Sequence, residues 1–353
     1  MSASAPGDLR TLPAAGEPAP GWLRGPAFDL CLIAGVLTLA LLLGGAAAAV
    51  PALFPWVLLA DLWLLAYPHV ASTFTRVAFD RESARSHRFL LVGLPPIVLA
   101  ATAGAAWLGG AVLLNTVYFY WQTYHYTRQS YGIARAYRRS AGAGADGHDV
   151  LTDIVIFAFP LWGLLHRAHQ RPPAFYNAPL WSPPVPEALV LAAGAVAFAA
   201  LAAWTLRLLR AARDDARDDA PQGLGHPLFV LSHVVITVVS YVAIPEITRG
   251  WLFINIWHNA QYLLFVWAQN ARRFQGGVDP SRPFLSGLCQ REHLGRYAAV
   301  CLGLSTLFYL ALGQTTERLS SDLLPLVLVC HQAVNFHHYL VDAVIWRSRR
   351  TAG

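Results

Sequence analysis

The last apolar stretch of the chain, between Asp322 and Arg347, carries several groups that can bind metals or exchange protons. Three histidines, an asparagine and an aspartate occur in it: His331, Asn335, His337, His338 and Asp342. All but His337 are spaced three or four residues apart, so a helix would place those four on one face. Polar groups that face lipid are costly and are usually functional. We therefore expect this face to meet other polar side chains inside the protein.

Three earlier apolar stretches also contain a histidine close to other polar residues. In chain order these are Asp61 and His69, then Gln122 and His125, and finally His258, Asn259 and Tyr262. Pro68 directly precedes the first of the three histidines, and a proline there frees a backbone carbonyl and can kink the helix. A hydrogen bond to a neighbouring helix would explain any one of these histidines taken alone. Four such helices, counting the one that carries His338, are better explained by a shared site with its imidazoles in one layer.

Such a set of residues is typical of a metal centre. Several neutral imidazoles without a cysteine suit iron, copper, zinc or nickel. The four cysteines occur singly, which gives no support to a disulfide scaffold, a zinc knuckle or c-type haem attachment. No His-Glu-x-x-His, P-loop or Gly-rich dinucleotide motif is present. We predict that Asp61, Asn335 and Asp342 orient the imidazoles through hydrogen bonds.

Composition indicates that the elements carrying these residues cross a membrane. The chain has 353 residues, of which 56% are hydrophobic and 13% charged, so it is more apolar than a typical globular protein. Its runs of about twenty apolar residues predict an all-α, polytopic transmembrane helical bundle. The pattern predicts about ten spans, at residues 27–49, 53–75, 89–111, 113–133, 150–168, 187–207, 227–246, 250–271, 295–313 and 323–346.

The distribution of charge predicts the orientation of the bundle. Arginines are concentrated in every second loop, which places both termini in the cytoplasm by the positive-inside rule. The net charge of +6 is explained by these basic loops, and we expect no nucleic-acid partner. We expect a flexible cytoplasmic segment over residues 1–25, a single transmembrane domain over 26–347 and a cytoplasmic tail over 348–353. The predicted location is a bacterial-type inner (plasma) membrane, with its lipids as partners.

The order and spacing of the four histidine stretches resemble those of the Brp/Blh family, which are membrane β-carotene 15,15′-dioxygenases. The matching stretches are Pro68-His69; His125-Tyr126 with Gly132; Ile256-Trp257-His258-Asn259-Ala260-Gln261-Tyr262, leading to Phe265-Val266-Trp267; and His338-Tyr339-Leu340-Val341-Asp342, leading to Ile345-Trp346-Arg347. The third stretch departs from the family's pattern, because Tyr262 stands where the family has a second histidine.

This resemblance implies a non-haem Fe(II) centre held only by histidines, which uses O₂ to cleave a lipophilic, carotenoid-like polyene taken from the bilayer. Carried over by position, His69, His125 and His258 would be metal ligands, and His338 would be a ligand or a close neighbour. The departure at Tyr262 means that this residue, His331 or His337 would have to complete the ligand shell. The predicted catalytic residues are Tyr262, Gln122 and Asn259.

Two other functions are also compatible with the sequence. Polar residues at several depths would suit a transporter in which the histidines form a proton or metal path. Two histidines on facing helices would also suffice for a bis-histidine haem protein. Metal content, a haem absorption band and metal flux would distinguish these hypotheses from an iron oxygenase.

Overall fold

The computed structural model describes residues 21–142, 147–215, 223–318 and 326–346. The helices in this part of the chain are α1 (Pro26–Ala49), α2 (Pro51–Val77), α3 (Arg81–Ser86), α4 (Phe89–Ser140), α5 (Val150–Gln170), α6 (Glu187–Asp215), α7 (Gly225–Ala243), α8 (Ile247–Arg273), α9 (Pro283–Leu288), α10 (Leu294–Arg318) and α11 (Leu326–Ile345). The described strands, β1 (Ala174–Phe175) and β2 (Ala178–Pro179), pair antiparallel between α5 and α6. The predicted helical fold class is confirmed.

Seven of the described helices are long and apolar enough to cross a membrane: α1, α2, α4, α5, α6, α7 and α10. Helices are the expected form, because lipid offers no hydrogen-bond partner to a free backbone group. This number differs from the ten predicted spans for two reasons. The predicted spans 89–111 and 113–133 both fall within α4, and α8 and α11 are rich in polar side chains.

The chain reverses direction inside α4, at Gly110. This residue has φ +62° and ψ −159°, a conformation that is essentially restricted to glycine. Residues before and after Gly110 pack in the same clusters against α11. Val98 and Trp121 share one cluster with Phe336, and Ala106 and Leu114 share another with Val329. The segments 89–109 and 111–140 are therefore antiparallel arms of a helical hairpin, and the second arm carries Gln122 and His125.

Helix α8 lies at the centre of the bundle, against α1, α2 and α7. It begins after Glu246, whose carboxylate accepts hydrogen bonds from the backbone N–H groups of Thr248 (2.7 Å) and Arg249 (2.8 Å). Every residue from 250 to 263 is buried, so its polar side chains must find partners on neighbouring helices. The packing against α1 is close, because a Cβ atom on Gly44 would lie 2.6 Å from the ring of Phe253.

Only part of the predicted N-terminal segment can be described. Residues 1–20 and the predicted tail 348–353 lie outside the described residues. Leu23, Arg24 and Gly25 are held at the start of α1, where the carboxylate of Asp29 accepts hydrogen bonds from their backbone N–H groups. The same carboxylate accepts a hydrogen bond from the hydroxyl of Tyr137, which ties this entry to the end of α4.

Candidate metal centre

His69 is placed by an irregular part of α2. A π-helical turn spans Leu62–Ala66, and Pro68 lies two residues after its end. Because proline donates no backbone hydrogen bond, the helix widens upstream of it and changes the direction of the residues that follow. The hydroxyl of Ser72 then donates to the carbonyl oxygen of His69 at 2.7 Å. The irregularity expected beside Pro68 therefore lies one turn before the histidine.

Four buried histidines from four helices lie together: His69 on α2, His125 on α4, His258 on α8 and His338 on α11. The ring of His69 lies 4.6 Å from that of His338 and 4.7 Å from that of His258, measured between centroids. The ring of His125 is 5.0 Å from His338 and 5.1 Å from His258. One ring nitrogen each of His69, His125 and His258 falls within 4.8 Å of the other two. We call this set the histidine cluster.

The hydrogen bonds of His338 determine which of its nitrogens carries the proton. Its Nδ1 lies 3.0 Å from Oγ1 of Thr73, and that hydroxyl donates its single proton to Asp342 at 3.1 Å. With the proton of Thr73 assigned to Asp342, its hydroxyl has only lone pairs to offer, and we assign the proton of His338 to Nδ1. In this assignment Nε2 of His338 carries the lone pair and accepts a hydrogen bond from Nε2 of His69 at 2.7 Å.

Asp342 lies beside the cluster and is the acceptor of this network. Its Oδ1 also accepts a hydrogen bond from the hydroxyl of Tyr262 at 2.5 Å, and its Oδ2 lies 3.7 Å from Nε2 of His338. The indole of Trp346 donates to the hydroxyl oxygen of Tyr262 at 3.2 Å. The ring of Tyr262 is 4.3 Å from that of His69, but its hydroxyl is directed at Asp342. Tyr262 therefore belongs to the hydrogen-bond network around the cluster.

The donor atoms of the cluster fit a metal ion. Within the described residues, Nδ1 of His69, Nε2 of His125 and Nδ1 of His258 are buried and have no hydrogen-bond partner. Unsatisfied buried nitrogens are rare and call for an explanation, such as a bound ion. Neighbouring nitrogen ligands of an ion with bonds of about 2.1 Å lie about 3 Å apart. The contact between His69 and His338 is close to that value, so a small movement would make room for the ion.

Asp61 does not contact a histidine, contrary to its predicted role as an orienting group. It accepts hydrogen bonds from the side-chain amides of Asn255 and Asn259, which lie on α8. The hydroxyl of Tyr126 donates to the other side of Asn255 at 2.6 Å, and Gln122 donates to Tyr126 in turn. The reason is geometric, because Asp61 lies more than two helical turns before His69. Asp61 therefore orients Asn259, one of the two amides predicted as catalytic, and is linked to the other, Gln122, only through Asn255 and Tyr126.

Three further predicted site residues on α11 are not part of the cluster. His331 lies seven residues before His338, which is about 10 Å along a helix, and its ring packs 5.5 Å from Tyr309. His337 points about 100° away from its neighbour, and its Nε2 lies 2.7 Å from the carbonyl oxygen of Leu90. Asn335 lines the adjoining cavity and makes no hydrogen bond with any described residue. Neither His331 nor His337 replaces the histidine missing at Tyr262.

A cavity of about 610 Å³ adjoins the cluster. Three of the four histidines form part of its wall, together with the amides of Gln122, Asn255 and Asn259. The rest of the wall is mostly aromatic and aliphatic, including Tyr118, Tyr126, Tyr309, Tyr339 and Trp251. Cavities of this size and lining are typical of binding sites for small, largely apolar molecules.

Several residues of the networks around the site were not among the predicted site residues, and Thr73 and Tyr126 are the two that lie nearest the histidines. Thr73 lies four residues after His69, so a helical face drawn through that histidine would have included it. Tyr126 follows His125 directly and points to α8, where its ring lies 4.1 Å from that of His258. No local sequence pattern predicts the contact between Tyr126 and His258, because it depends on how α4 and α8 pack.

A charged cluster lies beyond the end of α2, outside the apolar part of that helix. Asp80 accepts hydrogen bonds from the backbone N–H and the hydroxyl of Ser83, both at 2.8 Å, and so caps α3. Arg273 and Arg282 each lie 3.5 Å from its carboxylate. Burial alone would raise the pKa of Asp80, but the hydrogen bonds and the two cations outweigh burial and lower it. This cluster joins α3 to the segment that follows α8.

Comparison of the chain with protein-family models, with curated proteins and with solved structures gives no match. The geometry of the site therefore has to carry the functional interpretation.

Proposed function

We propose that this membrane protein is a non-haem iron oxygenase that uses O₂ on a lipophilic substrate. The observation that carries the proposal is the meeting of four buried imidazoles, one from each of four helices, beside a largely apolar cavity whose wall includes three of them. An isolated structural histidine would not require three others at ring distances of about 5 Å. Three of their nitrogens are also buried without a hydrogen-bond partner among the described residues.

His69, His125, His258 and His338 are the proposed ligands. A neutral set of imidazoles suits Fe(II), and iron held by it would supply the activation of O₂. Thr73 and Asp342 keep Nδ1 of His338 protonated, so that its Nε2 is free to bind. Tyr262 donates a hydrogen bond to Asp342. Its ring occupies the position where the Brp/Blh pattern has a further histidine. A four-histidine site in this chain therefore does not need the histidine that the Brp/Blh pattern has at this position.

The cavity is proposed to bind and orient the substrate. Its aromatic walls exclude water from a long apolar molecule, while Gln122 and Asn259 present amides near the histidines. Gln122 is fixed on both sides, because it accepts a hydrogen bond from the indole of Trp251 and donates to Tyr118. The resemblance to the Brp/Blh family favours a polyene as the substrate. Cleavage of one C=C bond by one O₂ would yield two carbonyl products.

A bis-histidine haem is the weaker alternative. Two axial imidazoles must lie on opposite faces of the porphyrin, with their nitrogens about 4 Å apart when each bond is about 2 Å. The nitrogens of His69 and His338 are 2.7 Å apart, and the other two rings occupy the space at their sides. A porphyrin would have to displace this packing.

We also propose ten spans with both termini in the cytoplasm of a bacterial-type inner membrane. The two arms of α4, together with α8 and α11, would raise the number of membrane-crossing helices from seven to ten. The alternation of basic loops supports the orientation. Cysteine-accessibility labelling of the loops on either side would test it.

The function is tested by metal analysis of the purified protein and of five single variants. Alanine at each of His69, His125, His258 and His338 should reduce bound iron, because each removes one ligand. His337→Ala is the matched control, since it lies beside His338 but bonds to a backbone carbonyl. The expected activity is consumption of O₂ with a polyene such as β-carotene. The proposal fails if iron is not stoichiometric and no variant differs from the control.

Other outcomes would identify the alternative functions. A haem absorption band in the purified protein would replace the proposal by a haem protein. Metal flux into sealed vesicles without O₂ consumption would replace it by a transporter.

A further inference from the structure

A second apolar space opens beside the cavity, between α10 and the first arm of α4. It has a volume of about 640 Å³, and its floor is formed by α2 and α11. Leu99 on one rim and Phe308 on the other are 44% and 49% exposed, so on membrane-crossing helices they face lipid. We call this space the lateral slot.

The slot offers almost no hydrogen bonds to a ligand. Of the polar side chains in its wall, Ser305 and His337 are already bonded to the backbone carbonyls of Leu302 and Leu90. The neutral hydroxyls of Tyr67 and Tyr309 and the thiol of Cys330 add little polarity, and the remaining wall is largely aliphatic and aromatic. A molecule that occupies the slot therefore gains by burying hydrocarbon, and the described wall has no charged side chain to pair with a charged head group.

The slot and the cavity share a wall formed by Tyr67, Val70 and Tyr309. The rings of the two tyrosines stack with centroids 3.7 Å apart and planes 15° apart, one from α2 and the other from α10. Neither hydroxyl makes a hydrogen bond with a described residue, so either ring can rotate without breaking one. The histidine cluster lies on the far side of this stack.

We propose that the Tyr67–Tyr309 stack is a gate through which an elongated, uncharged hydrocarbon passes from the bilayer into the cavity. The slot receives the molecule sideways from lipid, and rotation of one tyrosine connects the two spaces. Only the fate of the molecule at the histidines rests on the proposed function, because the route itself does not depend on a metal. A competing entrance exists at the other end of the cavity, where Val327 is 50% exposed.

Photolabelling in lipid nanodiscs tests the route. The probe is a long-chain alkyl diazirine dissolved in the bilayer, and labelled peptides are quantified by mass spectrometry in metal-depleted protein. Trp251 and Asn255 on α8 line only the cavity, whereas Leu304 and Phe308 on α10 line only the slot. Labelling of the α8 peptide therefore reports entry into the cavity.

Two tryptophan substitutions on the same helix separate the entrances. Cys330→Trp fills the slot, and Val327→Trp fills the competing entrance one turn away. The slot variant should lower α8 labelling by at least about fivefold, equivalent to about 1 kcal/mol, while the Val327 variant should leave it nearly unchanged. The opposite pattern, or equal effects of the two, would overturn the proposal.

Variants of the gate give a second measurement that does not depend on filling the slot. Tyr309→Phe keeps the stacked ring and should label as the wild type does. Tyr309→Ala removes the partition and should increase α8 labelling, with little change in labelling of the α10 peptide. Unchanged α8 labelling in Tyr309→Ala would show that the stack does not restrict entry. None of these outcomes depends on bound iron, so they are distinguishable from failure of the proposed function.

Discussion

Replacing Thr73 by valine tests whether the network behind His338 prepares it to bind a metal. Valine has nearly the same shape as threonine but lacks the hydroxyl, which lies 3.0 Å from Nδ1 of His338 and 3.1 Å from Asp342. In the variant, the N–H of His338 loses its acceptor, while Asp342 loses one donor and keeps Tyr262 and Trp346. The imidazole is then free to change tautomer or rotate away from the cluster.

The expected loss of metal affinity follows from what the hydrogen-bond partners of ligating histidines usually contribute. Loss of such a partner lowers metal affinity by about 10- to 100-fold, which corresponds to about 1.4–2.8 kcal/mol. A buried N–H left without a partner costs about 1–3 kcal/mol, a similar amount. We therefore expect Thr73→Val to bind Fe(II) about 10- to 100-fold more weakly than the wild type. Thr73→Ser keeps the hydroxyl and should stay close to the wild type.

The assay is competition with a chelator under anaerobic conditions in detergent, with thermal unfolding as the check that each variant is folded. Thr75→Val is the matched control, because Thr75 lies half a turn further along α2. Its hydroxyl donates to the carbonyl of Ser72 and has no contact with the cluster. Wild-type affinity in Thr73→Val, or an equal loss in Thr75→Val, would refute the role assigned to this hydroxyl.

Three further predictions concern the fold and the residues around the site. Gly110→Ala should destabilise the protein by about 1–3 kcal/mol because of its positive φ, whereas Gly104→Ala in the same helix should not, and thermal unfolding compares the two. Asp80→Asn should lower the melting temperature at pH 7. Because the pKa of Asp80 is lowered in the folded protein, its contribution is fully present above its unfolded value of about 3.9 and is lost as the pH falls through its folded value. A difference between variant and wild type that does not begin to shrink below about pH 3.9 would contradict this. His337→Leu should keep its bound metal but unfold at a lower temperature, since it loses the hydrogen bond to the carbonyl of Leu90 and the ring stacking on Phe74. Reduced metal content would contradict that.

The occurrence of histidines inside four apolar stretches was sufficient to bring forward the four that meet, together with His331 and His337 as further candidates. His69, His125, His258 and His338 each lie on a face with other polar residues, and the distances between their rings agree with the expected layer. It was not sufficient to distinguish His337 from His338, because adjacent residues differ by about 100° and the sequence does not show which way a helix is turned. Only the packing of α11 against both arms of α4 determines that.

The partners of the carboxylates could not be predicted for a different reason. Asp61 meets Asn255 and Asn259, almost two hundred positions further along the chain. Such contacts depend on the relative height and rotation of two helices, and one sequence contains no direct record of either. Asp342 was easier, because its contact with His338 is between residues four apart on one helix.

The two long helices that do not qualify as membrane spans by composition, α8 and α11, carry much of the candidate site. Their polar residues lower their hydropathy, and the same residues supply two of the four clustered imidazoles and the carboxylate of Asp342. An apolar helix can face lipid anywhere in a bundle, whereas a polar one must be enclosed by others that satisfy it. Helix α8 is enclosed in this way from residue 250 to 263. In a chain of this kind, a helix that is long enough to cross the membrane but too polar to face it therefore indicates where the chemistry lies.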